Sequence, residues 1–462
     1  MTGKGKRKLA MPDTLIIVAS VVLLVAILSW IIPSGTYDYQ EMNINGRIRN
    51  VAIDGTYHTI DKSEVTTTGF LGFFSVLYRG CVEAADVIFM ILCCCGTFGV
   101  VVKTGAFHAG IGTILKKLKG KEILLVPIIM MIFGLGGSVF GMASEFYGFY
   151  PLIVGLGVAL GYDAMFGFAI IAVGEFVGFM GATLNPYSVG IAQTISGVEL
   201  YSGTGYRAIC FVIFMAISII YVMVYGRKIK KNPGASVVFG EKNIHAFDRD
   251  ELNEYSFTLK DGLVLLDVLV VLVVLMLGLI KWGWDFPQLC GLFLLMSMIA
   301  AAICKWSPNK WCSEFIDSAK TAMWGCILTG IAKAITVVMQ DAQIMDTVIY
   351  GLSNVLKNAP HAVSAQVMLV VQTLINFFIP SATGQASATM PIMAQLADII
   401  GVSRQTAVLA FQFGDGLSNI FWPTADIVII CGLGGISLQK WYKWFTPLFL
   451  ILFVTQDRKS VV

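Results

Sequence analysis

Two segments of this chain carry the same helix-breaking residues in the same order, at a constant separation of 240 residues. The matched pairs are Pro151 and Pro391, Leu156 and Leu396, Gly161 and Gly401, and Gly174 and Gly414. The last glycine of each set precedes an acid, Glu175 or Asp415, in strongly apolar sequence. Proline and glycine interrupt helices and a buried carboxylate is costly, so their joint recurrence predicts two copies of one structural unit.

The composition places both copies in a membrane. The chain is 56% hydrophobic and 13% charged, and this leaves too little polar surface for a soluble globule. Met11 to Trp30 is long and apolar enough to span, and no small-residue cleavage pattern follows it. We therefore predict an all-α polytopic membrane protein in which residues 1–32 form a cytoplasmic N-terminus and a retained first span. Ten cysteines without CxxC spacing indicate packing rather than metal binding.

Clusters of Lys and Arg set the predicted topology. They are Lys4, Lys6, Arg7 and Lys8; Lys116, Lys117, Lys119 and Lys121; and Arg227, Lys228, Lys230 and Lys231. The positive-inside rule places all three in the cytoplasm, which gives these cations a role in topology rather than in nucleic-acid binding. Residues 33–68 then form an extracytoplasmic loop, a lid or a spacer, in which Asp54-Gly55 predicts a small β-hairpin.

The first repeat is predicted over residues 69–226. Residues 122–160 begin and end on one side of the membrane and are glycine-dense from Gly134 to Gly141, which indicates a re-entrant hairpin. Two ordinary short helices joined by a loop are the alternative. Residues 163–197 form a helix broken at Thr183 to Ser188, where a simple proline kink is the alternative. Residues 227–260 are read as a cytoplasmic linker.

The second repeat, over residues 261–454, contains the same parts in the opposite orientation. Its predicted segments are spans at 261–281, 286–304 and 314–339, a hairpin at 363–400 with its tip at Pro380 to Ser387, a broken helix at 404–433, and a last span at 441–454. With about nine spans and two re-entrant hairpins, the repeats are inverted relative to each other. Residues 455–462 are interpreted as a tail that is truncated or altered, because the last span is short.

Polar side chains cluster at the predicted tips and breaks, which points to one binding cavity near the membrane midplane. In the first half they are Ser138, Ser144, Glu145, Thr183, Asn185, Pro186 and Ser188. In the second half they are Ser381, Thr383, Gly384, Gln385, Ser387, Asn419 and Thr424. The alternative for each Ser or Thr is a hydrogen bond to its own helix.

Ionisable residues inside apolar spans need compensation. Glu175 and Asp415, with Ser418 beside the second break, are the candidates for coupling to Na⁺ or H⁺. Lys333 lies in an apolar run, where we expect it to pair with one of the carboxylates or to hold a substrate carboxylate. Snorkelling of Lys333 to the interface is the alternative. No metal or organic cofactor is expected.

The motifs of enzymes are missing from the sequence. It contains no HExxH and no GxxxxGK[ST], and Gly414-Asp415-Gly416 has no partner motif for an intramembrane aspartyl site. Repeated landmarks and buried polar breaks instead predict a secondary transporter of a small solute. A channel and an intramembrane enzyme are the less favoured alternatives.

Four sequence blocks resemble the YfcC-type branch of the C4-dicarboxylate anaerobic carrier family, which includes proteins provisionally assigned as basic amino acid antiporters. The blocks are Gly141 to Glu145, Asn185 to Gln193, Gly330 to Ile335 and Phe378 to Gln385. The resemblance implies membership of the ion transporter superfamily. From it we expect inverted repeats with scaffold and transport subdomains, elevator motion, a homodimer, and a location in the inner membrane of a bacterium.

The chain departs from the family pattern at two positions. It has Phe146 where the pattern has a second acid after Glu145, and Lys333 where Arg is common. Three predicted buried acids against one base favour a basic amino acid such as arginine or ornithine as substrate, moved by exchange or ion coupling. A Na⁺- or H⁺-coupled C4-dicarboxylate carrier is the alternative.

Overall fold

The computed structural model describes residues 14–44, 47–118, 122–241, 245, 257–357 and 363–459. The first basic cluster, Lys119 and Lys121, residues 242–244 and 246–256 of the predicted linker and the last three residues of the tail lie outside this part of the chain. Lys116 and Lys117 lie in the last turn of a helix, and the third basic cluster ends a long one.

The first half begins with a helix and four short strands. The elements are α1 (Thr14–Ile31), β1 (Ser34–Thr36), β2 (Tyr39–Ile44), β3 (Arg47–Ala52), β4 (His58–Ile60), α2 (Phe70–Glu83), α3 (Ala85–Lys103), α4 (Ala106–Leu118), α5 (Leu125–Leu135), α6 (Phe149–Ala159), α7 (Ala164–Gly181), α8 (Val189–Ile195) and α9 (Thr204–Lys231). A π-helical turn, Gly136–Phe140, directly follows α5, so the glycine-dense stretch is where regular helix stops.

The second half is helical throughout the residues that the structure describes. The elements are α10 (Leu259–Lys281), α11 (Phe286–Ile303), α12 (Pro308–Lys320), α13 (Met323–Asp341), α14 (Met345–Lys357), α15 (Ser364–Phe378), α16 (Ala382–Ile399), α17 (Arg404–Ser418), α18 (Asp426–Gly434) and α19 (Leu438–Lys459). The segment predicted as one span at 314–339 is divided between α12 and α13, and α19 continues five residues beyond the predicted end at 454.

The order of elements from α3 to α9 recurs from α13 to α19. Each series has a 19-residue helix, a 13-residue helix, two hairpin helices, a broken helix pair and a long final helix. The landmark glycines that follow α6 and α16, Gly161 and Gly401, both have positive φ, at 80° and 71°. The recurring prolines and glycines therefore mark equivalent places in a duplicated architecture, while the inverted orientation of the copies stays a prediction.

Seven helices in the described part of the chain are long and apolar enough to cross a membrane: α1, α3, α7, α9, α10, α11 and α13. Shorter apolar helices lie at Leu125–Phe140, Phe149–Ala159 and Ser364–Phe378, within the two predicted hairpins. The chain is thus a multi-span helical membrane protein. The figure of about nine spans and the re-entrant path of the hairpins stay predictions.

Helix α7 is the centre of the molecule, and all of its residues are buried. Helices α5, α6, α9 and α17 pack around it, and α15 and α16 pack on α17. The α5 contact requires glycine, because a Cβ at Gly178 would lie 2.0 Å from the carbonyl oxygen of Gly134. A separate group formed by α1, α2 and α13 packs against this bundle through α18.

The strands form two antiparallel pairs, β1 with β4 and β2 with β3. The predicted hairpin turn at Asp54-Gly55 is wrong, because this turn joins β3 to β4, two strands that pair with different partners. The pairs are fixed to α14 by Asp346, which accepts hydrogen bonds from the backbone N of Tyr37 at 3.0 Å and from Tyr39 Oη at 2.8 Å. Burial, and then the Asp346 carboxylate, raise the pKa of the Tyr39 phenol well above its usual range, so the hydroxyl remains a donor.

Candidate functional site

A cavity of about 590 Å³ lies where the two halves of the chain meet. The cavity is lined by α13 and the end of α2, and by the first hairpin tip, the start of α16 and the second helix break. Tyr39 and Asn50 of the paired strands also line it. The volume is in the range typical of sites for small molecules.

Helix α13 presents a polar stripe to this cavity. Thr329, Lys333, Thr336 and Gln340 follow one another at intervals of four, three and four residues, which places them on one helical face. Among the described residues Lys333 forms no salt bridge with a carboxylate. The structure thus does not support the predicted pairing of Lys333 with a buried acid. Its ammonium group remains available to a bound carboxylate.

Six of the predicted site residues line the cavity: Ser144, Lys333, Ser381, Gly384, Ser387 and Thr424. Ser381 caps α16 by accepting from Gly384 N at 3.3 Å, and Ser387 Oγ donates to the Thr383 carbonyl at 2.9 Å. The Thr424 hydroxyl is buried and has no hydrogen-bond partner. Groups from both halves, which are distant in sequence, therefore converge on the same space.

The other polar residues of the first half organise the chain around its break. Ser138 Oγ accepts from Thr183 N at 3.1 Å, and Asn185 Oδ1 accepts from Tyr187 N at 2.9 Å and from Ser188 N at 3.2 Å. Pro186 lies between them in the break, outside the residues that line the cavity. These bonds satisfy backbone groups that the interrupted helix leaves unpaired.

Two further predicted residues lie near the tips without lining the cavity. Glu145 is 8% exposed and accepts from Ala143 N at 3.0 Å, within its own turn. Thr383 Oγ1 donates to the Tyr187 carbonyl at 2.9 Å, and so connects the second hairpin tip to the first helix break.

A buried polar cluster surrounds Asp415, which lies in α17 just before the second helix break. Asn376 Nδ2 lies 2.8 Å from Asp415 Oδ1, 3.1 Å from Asn419 Oδ1 and 3.2 Å from Gln385 Oε1. This amide group has two hydrogens for three oxygens. In addition, Asp415 Oδ2 and Asn376 Oδ1 are buried without a partner. The cluster has an excess of oxygen atoms, and a small cation or a proton can compensate for it.

Glu175 occupies a different environment, inside α7. Its side chain is fully buried, and Oε2 accepts from Tyr150 Oη at 2.9 Å. Its other oxygen, Oε1, has no partner. Ser418, predicted to act with these acids, donates instead to the Gly414 carbonyl of its own helix.

The sequence reasoning missed Asp426, the first residue of α18. Asp426 lines the cavity and accepts from Tyr147 Oη at 2.7 Å. A usable signal was present, because an acid directly after a helix break and before an apolar run is stabilised by the helix N-terminus. Glu83, at the end of α2, is the other acid that lines the cavity.

Comparisons with known proteins identify the family of this chain. The family model described as C4-dicarboxylate anaerobic carrier, DcuC, matches residues 11–457. The chain belongs to the DcuC family. It is 32% identical to YfcC of Escherichia coli K12, provisionally named a basic amino acid antiporter, over 98% of this chain and 96% of that protein. The resemblance found in the four sequence blocks is thereby confirmed.

Other similar proteins are more distant. An uncharacterized protein of Haemophilus influenzae is 27% identical to this DcuC-family chain over 96% of it and 95% of that protein. The YdaH transporter of Alcanivorax borkumensis has a TM-score of 0.44 and 14% identity, covering 97% of this chain and 98% of that one. MtrF of Neisseria gonorrhoeae has a TM-score of 0.44 and 15% identity, over 98% and 95% of the two chains.

Proposed function

We propose that this DcuC-family member is a secondary active transporter of a basic amino acid, such as arginine or ornithine, and that it works by exchange or ion coupling. The observation that carries the proposal is the charge of the cavity, which is lined by two carboxylates, Glu83 and Asp426, and one ammonium group, Lys333. Arginine and ornithine each carry two cationic groups and one carboxylate. Substrate and cavity are therefore complementary in both the number and the sign of their charges.

The positions of these charges support a specific orientation. Lys333 lies on α13, and Asp426 lies at the start of α18 beside Tyr147. We assign the substrate α-carboxylate to Lys333, the α-ammonium group to Asp426 and the side-chain cation to Glu83, the most exposed of the three. Ser144, Ser381, Ser387 and Thr424 supply hydroxyl groups around the substrate.

A C4-dicarboxylate is the second candidate. The α16 N-terminus with Ser381 and Gly384, together with Lys333, lines the cavity and favours anions. The description of the family model also supports this candidate. The two cavity acids disfavour it, because they would repel a second carboxylate.

The movement we propose is an elevator motion in the cytoplasmic membrane of a bacterium, with the N-terminus in the cytoplasm. The bundle around α7 and α17 would carry the substrate past the group of α1, α2 and α13. Asp415 and Glu175, which lie away from the cavity lining, are the proposed sites of coupling to Na⁺ or H⁺. A homodimer is part of this proposal, and the mass of the protein in detergent, measured by light scattering, would test it.

Counterflow in proteoliposomes tests the substrate. Vesicles loaded with unlabelled arginine should accumulate radiolabelled arginine, and external ornithine should compete where succinate does not. Asp426→Asn should reduce the uptake, whereas Asp317→Asn, which changes an exposed acid outside the cavity, should leave it intact. Counterflow of succinate without counterflow of arginine would refute the basic amino acid and favour the dicarboxylate.

A further inference from the structure

Glu175 is an acid for which the described structure provides little compensation. It is fully buried in a helix that is itself fully buried, and its Oε1 atom has no hydrogen-bond partner. None of the salt bridges among the described residues involves it. Burial of an ionised carboxylate without a counter-cation costs far more than burial of the neutral acid.

Among the residues that the structure describes, the groups on the surrounding elements give Glu175 no positive neighbour. Tyr150 of α6 donates to it, and Asp426 and Glu145 interact with it electrostatically. On α9, Arg207 donates to the carbonyl oxygens of Ala182 and Thr183, beyond the end of α7. Helix α17 contributes Asp415 from its own polar cluster. A hard metal cation takes six or more oxygen ligands, and the described side chains offer Glu175 only one hydroxyl partner.

Two tyrosines bond to the acids at the two ends of a path from the cavity to Glu175, and they interact with each other electrostatically, without a hydrogen bond between their hydroxyls in the described structure. At the cavity end, Tyr147 Oη donates to Asp426 Oδ1 at 2.7 Å. At the buried end, Tyr150 Oη donates to Glu175 Oε2 at 2.9 Å. Tyr147 lies in the turn that precedes α6, and Tyr150 lies in the first turn of that helix, three residues further along the chain. A phenol both donates and accepts, and can therefore pass a proton along.

We propose that Glu175 binds the coupling proton, and that Asp426, Tyr147 and Tyr150 deliver this proton from the substrate cavity. Each hydroxyl receives one proton and releases its own, so only O–H bonds break and form, and Glu175 gains the one proton that the cavity loses. Asp426 belongs to both the substrate site and this path. A substrate cation bound to Asp426 would therefore disfavour protonation of the same carboxylate, and this competition couples the binding of substrate to the binding of the proton.

The proposal rests on the proposed transport function, so the experiment has one readout that needs no substrate. Infrared spectra of the full-length protein in Na⁺ buffer should contain the carbonyl band of a protonated carboxyl group that Glu175→Gln removes. Glutamine keeps the size of the side chain and an acceptor for Tyr150. Asp415→Asn is the matched control, and should retain the Glu175 band.

The second readout is transport, with the membrane potential clamped. A gradient of one pH unit should sustain an about tenfold arginine gradient at one proton per substrate. Glu175→Gln should lose this response and keep counterflow, which needs no net proton movement. Tyr150→Phe should slow the pH-driven uptake and leave counterflow unchanged, and it tests the path even if the Glu175 variant fails to fold.

The outcomes separate the two proposals. Absence of arginine counterflow in the native protein, with the Glu175 infrared band present, overturns the substrate and supports the proton site. Arginine counterflow with a pH response that survives in Glu175→Gln overturns the proton site. Loss of the band in Asp415→Asn, with its retention in Glu175→Gln, also overturns it and assigns the proton to Asp415.

Discussion

Lys333 allows a decisive test of how the cavity holds its substrate, since it is the one cation among the cavity-lining residues that the structure describes. We predict that Lys333→Gln weakens the binding of arginine and leaves the binding of agmatine, which is arginine without its carboxylate, almost unchanged. The pair of residue and substrate changes forms a double-mutant cycle that isolates the contact between ammonium and carboxylate.

The size of the effect follows from the surroundings of Lys333. A hydrogen bond to a charged group contributes about 1.5–3 kcal/mol. Lys333 is partly exposed and Glu83 in the same cavity lining is exposed, so screening reduces this to about 1–2 kcal/mol. That corresponds to an about 5- to 30-fold rise in the Kd for arginine. A charge on the cavity wall that does not touch the carboxylate would not selectively weaken the binding of arginine.

Titration calorimetry on the purified protein in detergent gives both Kd values. Lys320→Gln is the control, because Lys320 pairs with Asp317 on an exposed helix face outside the cavity. Equal weakening of arginine and agmatine binding, or no change in either, would refute the assignment of Lys333 to the carboxylate.

Three further predictions concern the frame around the site. Gly178→Ala should lower the free energy of unfolding by about 1–3 kcal/mol, because the added methyl group overpacks against α5. Gly351→Ala, with open space around its Cβ, should raise the free energy of unfolding by about 0.5–1 kcal/mol. Thermal unfolding in detergent measures both variants, and equal effects would contradict the packing. Asp346→Asn should replace one of the two oxygens that accept from Tyr37 and Tyr39 with an amide donor and make residues 33–68 more sensitive to limited proteolysis, and unchanged cleavage would count against this anchor. Sodium at one hundred times its Kd should stabilise the native protein by about 2.7 kcal/mol relative to potassium, and Asp415→Asn should abolish this difference if the cluster holds Na⁺.

The repeated architecture was accessible from the sequence because its markers act locally. Proline limits the backbone and glycine permits a positive φ wherever they occur. The same turn is therefore indicated in both halves, by Pro151 with Gly161 and by Pro391 with Gly401. The strand pairing was not accessible in this way. Asp54-Gly55 has the composition of a hairpin turn, and only the long-range contacts with α14 show that it joins strands of two different pairs.

The candidate site was predicted less completely than the fold. Composition alone cannot separate a polar side chain that faces a ligand from one that satisfies the backbone, and Ser138, Thr183 and Asn185 belong to the second kind. The cavity wall on α13 could have been found, because Thr329 and Thr336 share a helical face with Lys333. The position of Tyr39 depends on tertiary contacts between strands and helices, which no local pattern encodes.

The bond from Thr383 to the carbonyl of Tyr187 joins the two halves of the duplicated chain through one side chain and one main-chain group. A genetic screen would detect this connection only through substitutions of Thr383. Substitutions of Thr383 would break it, while almost any side chain at position 187 would still present the same carbonyl. Suppressors of a Thr383 defect should therefore map to residues that hold the first break in place, and a search for correlated substitutions between the two positions would find none.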